Sequence, residues 1–229
     1  KPMSISVGEG RKMIEAARKY KRVVQVGTQC RSAEYVKKAK EDIESGKLGD
    51  IYLVRVFNME EDSSRKKGAV QAVPPGFDYD MWCGPSPKEP YSPGGQWWIN
   101  DWDFGCGGIA SGGIHQMDIA RYLIDKDYPE TVSHAGGVNF FKDGREIPDT
   151  QLVTYEYGKL TLILEAALWT TYMRKIPASI RNSDRFPYWP TTGTRVEILG
   201  TKGYMQLGNM GGGWQAFNSG GELEHSEYG

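Results

Sequence analysis

The chain has 229 residues, 39% of them hydrophobic and 25% charged, which is enough for one large globular domain or for one domain and part of another. Lys and Arg number 28 against 29 Asp and Glu, a net charge of −1, so no global field attracts nucleic acid or an anionic membrane, and a small molecule is the expected partner. No apolar run approaches the roughly 20 residues needed to span a bilayer, and the three widely spaced cysteines, Cys30, Cys83 and Cys106, read as buried free thiols rather than a disulfide framework or a zinc site, with no metal expected.

Ser6 and Glu9 have capping-box spacing ahead of Met13, Ile14 and Ala17 and a basic tail ending at Lys21, which predicts a short amphipathic helix. A strand is predicted over 22–26. Ser32 opens a second predicted helix, with Tyr35, Val36, Ala39 and Ile43 as its apolar stripe and Gly46 as its C-cap. A strand over 50–58, apolar on both faces, ends this α/β unit and feeds a new sheet. From 59 to 112 periodicity gives way to Pro, Gly, Trp and charge. A loop of that length in a compact domain is functional or disordered, and its aromatic content argues against disorder. Trp82, Trp97, Trp98 and Trp102 suit a sugar platform or cofactor cover on one reading and core or interface packing on the other.

Gly112 and Gly113 lead into a predicted helix with Ile114, Met117, Arg121 and Ile124 on one stripe and His115, Asp118 and Ile119 on another, so that His115 and Asp118 share a face. An imidazole beside glycine backbone can approach a ligand closely and titrate near neutral pH. The alternative is a histidine that satisfies a hydrogen bond between helix and sheet. Strands follow over 132–141, 151–157 and 160–168, the last two joined at Gly158 and Lys159, and a hairpin pairs 196–199 with 204–207. The second half is thus a large, open, mainly antiparallel sheet covered on one face by helices, among them the one carrying His115. Apolar alternation on the other face predicts a homodimer or homotetramer packed sheet to sheet.

Six segments in register resemble one family. They are Lys1-Pro2 ahead of a helix, Val24-Gln25-Val26-Gly27-Thr28-Gln29, Ile43-Glu44-Ser45-Gly46-Lys47-Leu48-Gly49-Asp50-Ile51, Met81-Trp82-Cys83-Gly84-Pro85, Gly113-Ile114-His115-Gln116-Met117-Asp118 and Ile198-Leu199-Gly200-Thr201-Lys202-Gly203. Over nearly its whole length the chain is similar to the glucose-fructose oxidoreductase, inositol dehydrogenase and rhizopine-catabolism family (Gfo/Idh/MocA). The resemblance implies an α/β protein in which a Rossmann domain binding NAD or NADP precedes a larger α+β domain that supplies the substrate pocket and the oligomer interface. On that basis residues 1–29 are the C-terminal remnant of the Rossmann domain, and 30–229 are the substrate-binding and oligomerisation domain without its closing helix. No G-x-G-x-x-G follows a strand; the glycines at 105–108 and 211–213 lack the required spacing. The compartment defaults to cytoplasmic, and a segment upstream of Lys1 is compatible with export.

The chemistry implied is hydride transfer between a nicotinamide and a hydroxyl carbon of a sugar, sugar derivative or cyclitol. By resemblance His115 is the general acid/base, Lys1 polarises the reacting hydroxyl, and Asp118 orients His115 or binds a substrate hydroxyl. A histidine near 6.5 serves as base without much tuning, whereas a lysine would need a depression of about three units, which assigns Lys1 the electrostatic role. Cofactor contacts fall to Lys1, Pro2, Gln29, Arg31 and Trp82, and substrate contacts to Ser111, Trp98 and Trp102. Gln29 and Arg31 also stand at the carboxyl edge of the predicted strand, where α/β ligands bind, or serve as turn residues. Many members have an acidic residue four before the histidine; here that place is Ser111, which cannot accept a proton at pH 7. Two other functions fit the sequence: a glycosidase that uses NAD for a transient oxidation, and a non-catalytic sugar-binding or assembly module.

Overall fold

The computed structural model describes residues 1–61, 67–94 and 97–229, so two short pieces of the long loop lie outside the described residues. Helix α1 (Val7–Lys19) carries the full capping box: Ser6 Oγ accepts from the Glu9 N–H at 3.2 Å and Glu9 Oε2 accepts from the Ser6 N–H at 3.2 Å. The strand predicted over 22–26 does not form. No neighbour pairs with it among the described residues, Val23 is fully exposed and Val24 largely so, and β-branched side chains alone do not make a strand without a partner. Helix α2 (Glu34–Glu44) starts later than Ser32 predicts, because Gln29–Ser32 is a 3₁₀ turn and Ala33 takes the N-cap. Gly46 lies one position past the C-cap, with φ +77° and its N–H on the Ile43 carbonyl at 3.0 Å, and a short helix α3 (Tyr79–Cys83) follows within the long loop.

One sheet organises the rest: β1 (Ile51–Met59), β2 (Thr131–Gly137), β3 (Thr150–Tyr157), β4 (Leu160–Ala167), β5 (Arg195–Gly200), β6 (Gly203–Gly208), β7 (Trp214–Asn218) and β8 (Leu223–Glu227), in the spatial order β2-β3-β4-β1-β5-β6-β7-β8. The β1–β4 pair is parallel, with Val54 opposite Leu162, and the other ladders are antiparallel. Strand β2 stops at Gly137 instead of Phe141 because the Asp149 carboxylate accepts the backbone N–H groups of Asn139, Phe140 and Phe141 at 3.1, 2.9 and 2.9 Å, which turns the chain. Strands β7 and β8 carry too little apolar alternation to be predicted.

The core is the face bearing Val54, Val56, Leu162, Leu164, Val196, Ile198, Met205 and Leu207, packed against Val36 and Ala39 of α2 and Ile119, Ala120 and Leu123 of α4 (Ile114–Ile124). The inward stripe of α4 is therefore Gln116, Ile119, Ala120 and Leu123, which takes Ile119 from one predicted stripe, while Met117 and Ile124 of the other pack at its margin. Polarity hides Gln116 from a hydropathy pattern, yet its amide is bonded and buried. The centre of the uncovered face is not the apolar surface that alternation predicts. Arg55 reaches Glu165 at 2.7 Å and Glu197 at 3.4 Å, Arg195 reaches Glu197 at 2.8 Å, and both guanidiniums lie over the Phe57 ring. All three cysteines are free, Cys30 and Cys83 buried and Cys106 partly exposed.

Parallel pairing brings the carboxyl ends of β1 and β4 to one edge, and antiparallel pairing adds the start of β5 and the end of β6 to it. Helix α4 begins beside that edge. If the core is as described, Leu164→Ala, at 1% exposure, costs about 2–5 kcal/mol by urea unfolding, whereas Val23→Ser shifts the unfolding free energy by less than about 0.5 kcal/mol.

Candidate active site

Gly112 and Gly113 lead into the helix and place His115 in its first turn, as predicted; they do so as the end of a π-turn (Ile109–Gly113) that runs directly into α4, and Gly113 has ordinary right-handed angles, φ −60° and ψ −25°. The role of Gly112 is close approach. A Cβ on Gly112 would lie 2.7 Å from both Asn58 Oδ1 and Glu60 Oε1. Asn58, wholly buried on β1, ties strand to helix: its Nδ2 donates to the Gly108 carbonyl at 3.4 Å and its Oδ1 accepts from Gln116 Nε2 at 3.3 Å. Single π-turns inside helices occur frequently at functional sites.

Between that helix start and the converging strand ends lies a cavity of about 260 Å³. Lys1, Ser111, His115 and Gln116 line one side; Glu60, Leu168, Thr194 and Asn209 come from the strand ends; Lys175 and Arg181 come from the segment after β4, which includes α5 (Ala178–Arg181). Glu60 is fixed by its backbone, with its N–H on the Ala167 carbonyl at 2.9 Å and its carbonyl accepting from Thr170 at 3.2 Å. Its Oε2 accepts from Lys175 Nζ at 2.8 Å, and Lys1 Nζ donates to the Ser111 carbonyl. Two buried polar atoms here have no partner, His115 Nδ1 and Gln116 Oε1. Burial pushes the His115 pKa below its ordinary value and the Lys1 charge lowers it further, while Asp118 pulls the other way. Burial also lowers Lys1, aided by Lys175 and opposed by Glu60.

Of the residues predicted for the site, the fold gathers Lys1, Ser111 and His115 at the cavity, with Ser111 engaged through its backbone. Asp118 does not orient His115. Both its oxygens are taken by Arg31, Nε to Oδ2 at 2.8 Å and Nη2 to Oδ1, so Arg31 and Asp118 clamp the 3₁₀ turn to α4 and line no part of the cavity. Pro2 is half-buried and Gln29 exposed, both outside the lining. None of the four tryptophans lines this cavity: Trp82 stacks on Tyr79 with centroids 5.6 Å apart and meets Trp97 and Phe104, Trp98 lines a separate aromatic recess, and Trp102 is half-exposed with its backbone on Glu146. Sequence reasoning missed Glu60, Gln116, Lys175, Arg181 and Asn209. Glu60 alone had a signal, standing just past a predicted strand, and it supplies beside Gly112 the carboxylate that position 111 lacks. Among the described residues no group of three or more His, Cys, Asp and Glu could hold a metal, and no helix is long and apolar enough to cross a membrane.

Because the folded His115 pKa is below the unfolded value near 6.5, the unfolded chain takes up a proton first as pH falls. His115 thus contributes stability above about pH 6.5 that is lost as pH drops through the folded pKa. Urea unfolding from about pH 8 to 5 should show this fall, and His115→Gln should remove its share of it.

Comparison with known proteins agrees with this fold. The sequence profile described as the C-terminal alpha/beta domain of an oxidoreductase family matches residues 34–162. The rhizopine catabolism protein MocA of Rhizobium meliloti is 36% identical over 61 residues, covering 27% of this chain and 19% of that protein. The aldose-aldose oxidoreductase of Caulobacter crescentus, solved with glycerol, superposes with a TM-score of 0.66 at 18% identity over 100% of this chain and 54% of its own. The WlbA dehydrogenase of Bordetella pertussis, solved with NADH and UDP-GlcNAcA, gives 0.62 at 16% identity over 100% and 53%. The chain therefore spans about half the length of these solved relatives. With the profile covering more than half of its residues and the open eight-stranded sheet in place, the chain belongs to the Gfo/Idh/MocA oxidoreductase family, in which it corresponds to the C-terminal α/β domain.

Proposed function

We propose that the chain is the substrate side of a NAD- or NADP-dependent oxidoreductase that acts on a CH–OH group of a sugar, sugar derivative or cyclitol. The observation that carries this reading is the convergence of an ammonium, an imidazole and an amide, from Lys1, His115 and Gln116, on one cavity, which suits a ligand with hydroxyl groups. Substrates of the relatives support it: WlbA is complexed with a sugar nucleotide and the Caulobacter enzyme is named for aldoses.

The glycine runs of this chain do not fit a dinucleotide. At 211–213 the space a phosphate would need is filled by the Arg181 carbonyl, Ile176 and the Glu227 carbonyl, and at 107 and 108 by Ile147 and Leu168. Residues 1–29 are read as the end of a Rossmann domain that holds the cofactor, with 30–229 as the domain for substrate and assembly. Nicotinamide, when bound, supplies the hydride acceptor. This chain's residues handle the proton and the orientation. His115 takes the hydroxyl proton as the carbonyl forms, and its depressed pKa keeps it a neutral base at pH 7. The Lys1 ammonium stabilises the oxygen as it loses that proton, and Gln116 Oε1 accepts a neighbouring hydroxyl. A homodimer or homotetramer through the uncovered sheet face fits the exposed Leu152 and the stacked Tyr204–Phe217 pair on it.

Two measurements test the reading. Calorimetric titration of the 229-residue chain with NADH should show no micromolar site, and such a site would place the cofactor on this domain after all. In the protein joined to its cofactor domain, His115→Ala and His115→Asn should lower kcat by about 10²- to 10⁴-fold with cofactor affinity nearly unchanged. Full turnover in a destabilised His115→Asn protein would make the residue structural.

A further inference from the structure

The cavity that holds His115 is not electrically balanced. Lys1, Lys175 and Arg181 face it against one carboxylate, Glu60, which leaves two positive charges uncompensated in a chain of net charge −1. Lys175 spends its charge on Glu60 and Lys1 is hydrogen-bonded to a carbonyl. Arg181 has no acidic partner among the described residues. Its Nε donates to the Ile176 carbonyl at 2.9 Å and its own carbonyl accepts from the Gly212 N–H at 3.3 Å. These bonds fix the stem and the base of the guanidinium and leave both Nη groups for a ligand.

We propose that the substrate carries an oxyanion, a carboxylate or a phosphate, and that Arg181 receives it in the cavity that His115 serves. This rests on the reading of the chain as the substrate side of a sugar oxidoreductase. A guanidinium held at Nε presents its two Nη groups as a fork, and a fork matches two oxygens of one anionic group better than it matches a single hydroxyl. Partial enclosure weakens solvent screening, so the preference for charge exceeds that of a surface arginine. Glu60 prevents the opposite error: by holding Lys175 it keeps the anion on the Arg181 side, away from Lys1 and the proton acceptor.

The test uses matched probes. D-glucose, D-glucuronate and D-glucose 6-phosphate differ at one carbon, and myo-inositol and myo-inositol 1-phosphate form a second pair. Titrated into the 229-residue chain by calorimetry, the anionic member of at least one set should bind tenfold or more tighter than its neutral counterpart. The advantage should shrink as NaCl is raised, and whether carboxylate or phosphate binds tighter identifies the group. Arg181→Gln should bring the ratio to about one, while Arg181→Lys, which keeps the charge, retains part of it. The salt dependence of the unsubstituted chain carries the test if Arg181→Gln fails to fold. Three histidines make His115 readily assignable by NMR, and its pKa should rise with an anionic probe and not with a neutral one. Equal binding of neutral and anionic probes, with the neutral one oxidised by the protein joined to its cofactor domain, overturns the oxyanion and leaves the oxidoreductase standing. Absence of binding by every probe overturns both.

Discussion

The buried amide of Asn58 is the joint on which the cavity depends. It lies at the end of the central strand, inaccessible to solvent, and must satisfy both a donor and an acceptor where water cannot reach. It does so by bonding the π-turn at Gly108 and the helix at Gln116, and this fixes the height and rotation of α4 on the sheet. The contact closes because Gly112 has no side chain: a single methyl there would meet the Asn58 and Glu60 oxygens at 2.7 Å. Leaving such an amide unpartnered costs about 1–3 kcal/mol, so strand end, turn and helix behave as one unit.

A second clamp acts on the same helix. Arg31 holds Asp118 from outside the cavity while Lys40 lies 4.6 Å from the Tyr122 centroid and donates to its carbonyl at 3.0 Å, which fastens α2 and the 3₁₀ turn to α4. The Arg31–Asp118 pair spends a carboxylate that shares a helix face with His115, leaving the imidazole Nδ1 without a protein partner. The consequence is a histidine whose pKa is set first by burial and by the Lys1 charge, with Asp118 opposing them through space and not through a hydrogen bond.

Much of this arrangement was legible in the sequence, and what was not has definable causes. The capping box at Ser6, the stripe of α2, the hairpin of β5 and β6 and the convergence of Lys1 with His115 all follow from local spacing or from family resemblance. The segment 22–26 has strand chemistry and no neighbour, and pairing is a nonlocal property that composition does not carry. Asp118 lies on the face of His115, but which partner takes its charge depends on a turn 87 residues earlier in the chain. Glu60, Lys175 and Arg181 sit in aperiodic stretches and are brought together by one parallel strand pair, so no window of sequence contains them at a readable spacing. For the tryptophans the sequence offers no choice, because aromatic density in a loop looks the same whether the rings face a sugar or one another.

The two halves of the cavity answer to different constraints. Glu60, Gln116 and His115 stand on elements whose positions are set by the core, and a change in their backbone is felt across the sheet. Lys175 and Arg181 belong to a long excursion between β4 and β5 that joins no ladder, its pairing limited to single bridges such as Arg174 with Thr192. Around its buried Leu168, Ile176 and Trp189, the exposed positions of that excursion can change without touching the cluster between sheet and helices. Divergence among descendants of such a chain would therefore accumulate on this rim, and lineages could exchange one ligand preference for another without first acquiring a compensating mutation in the scaffold.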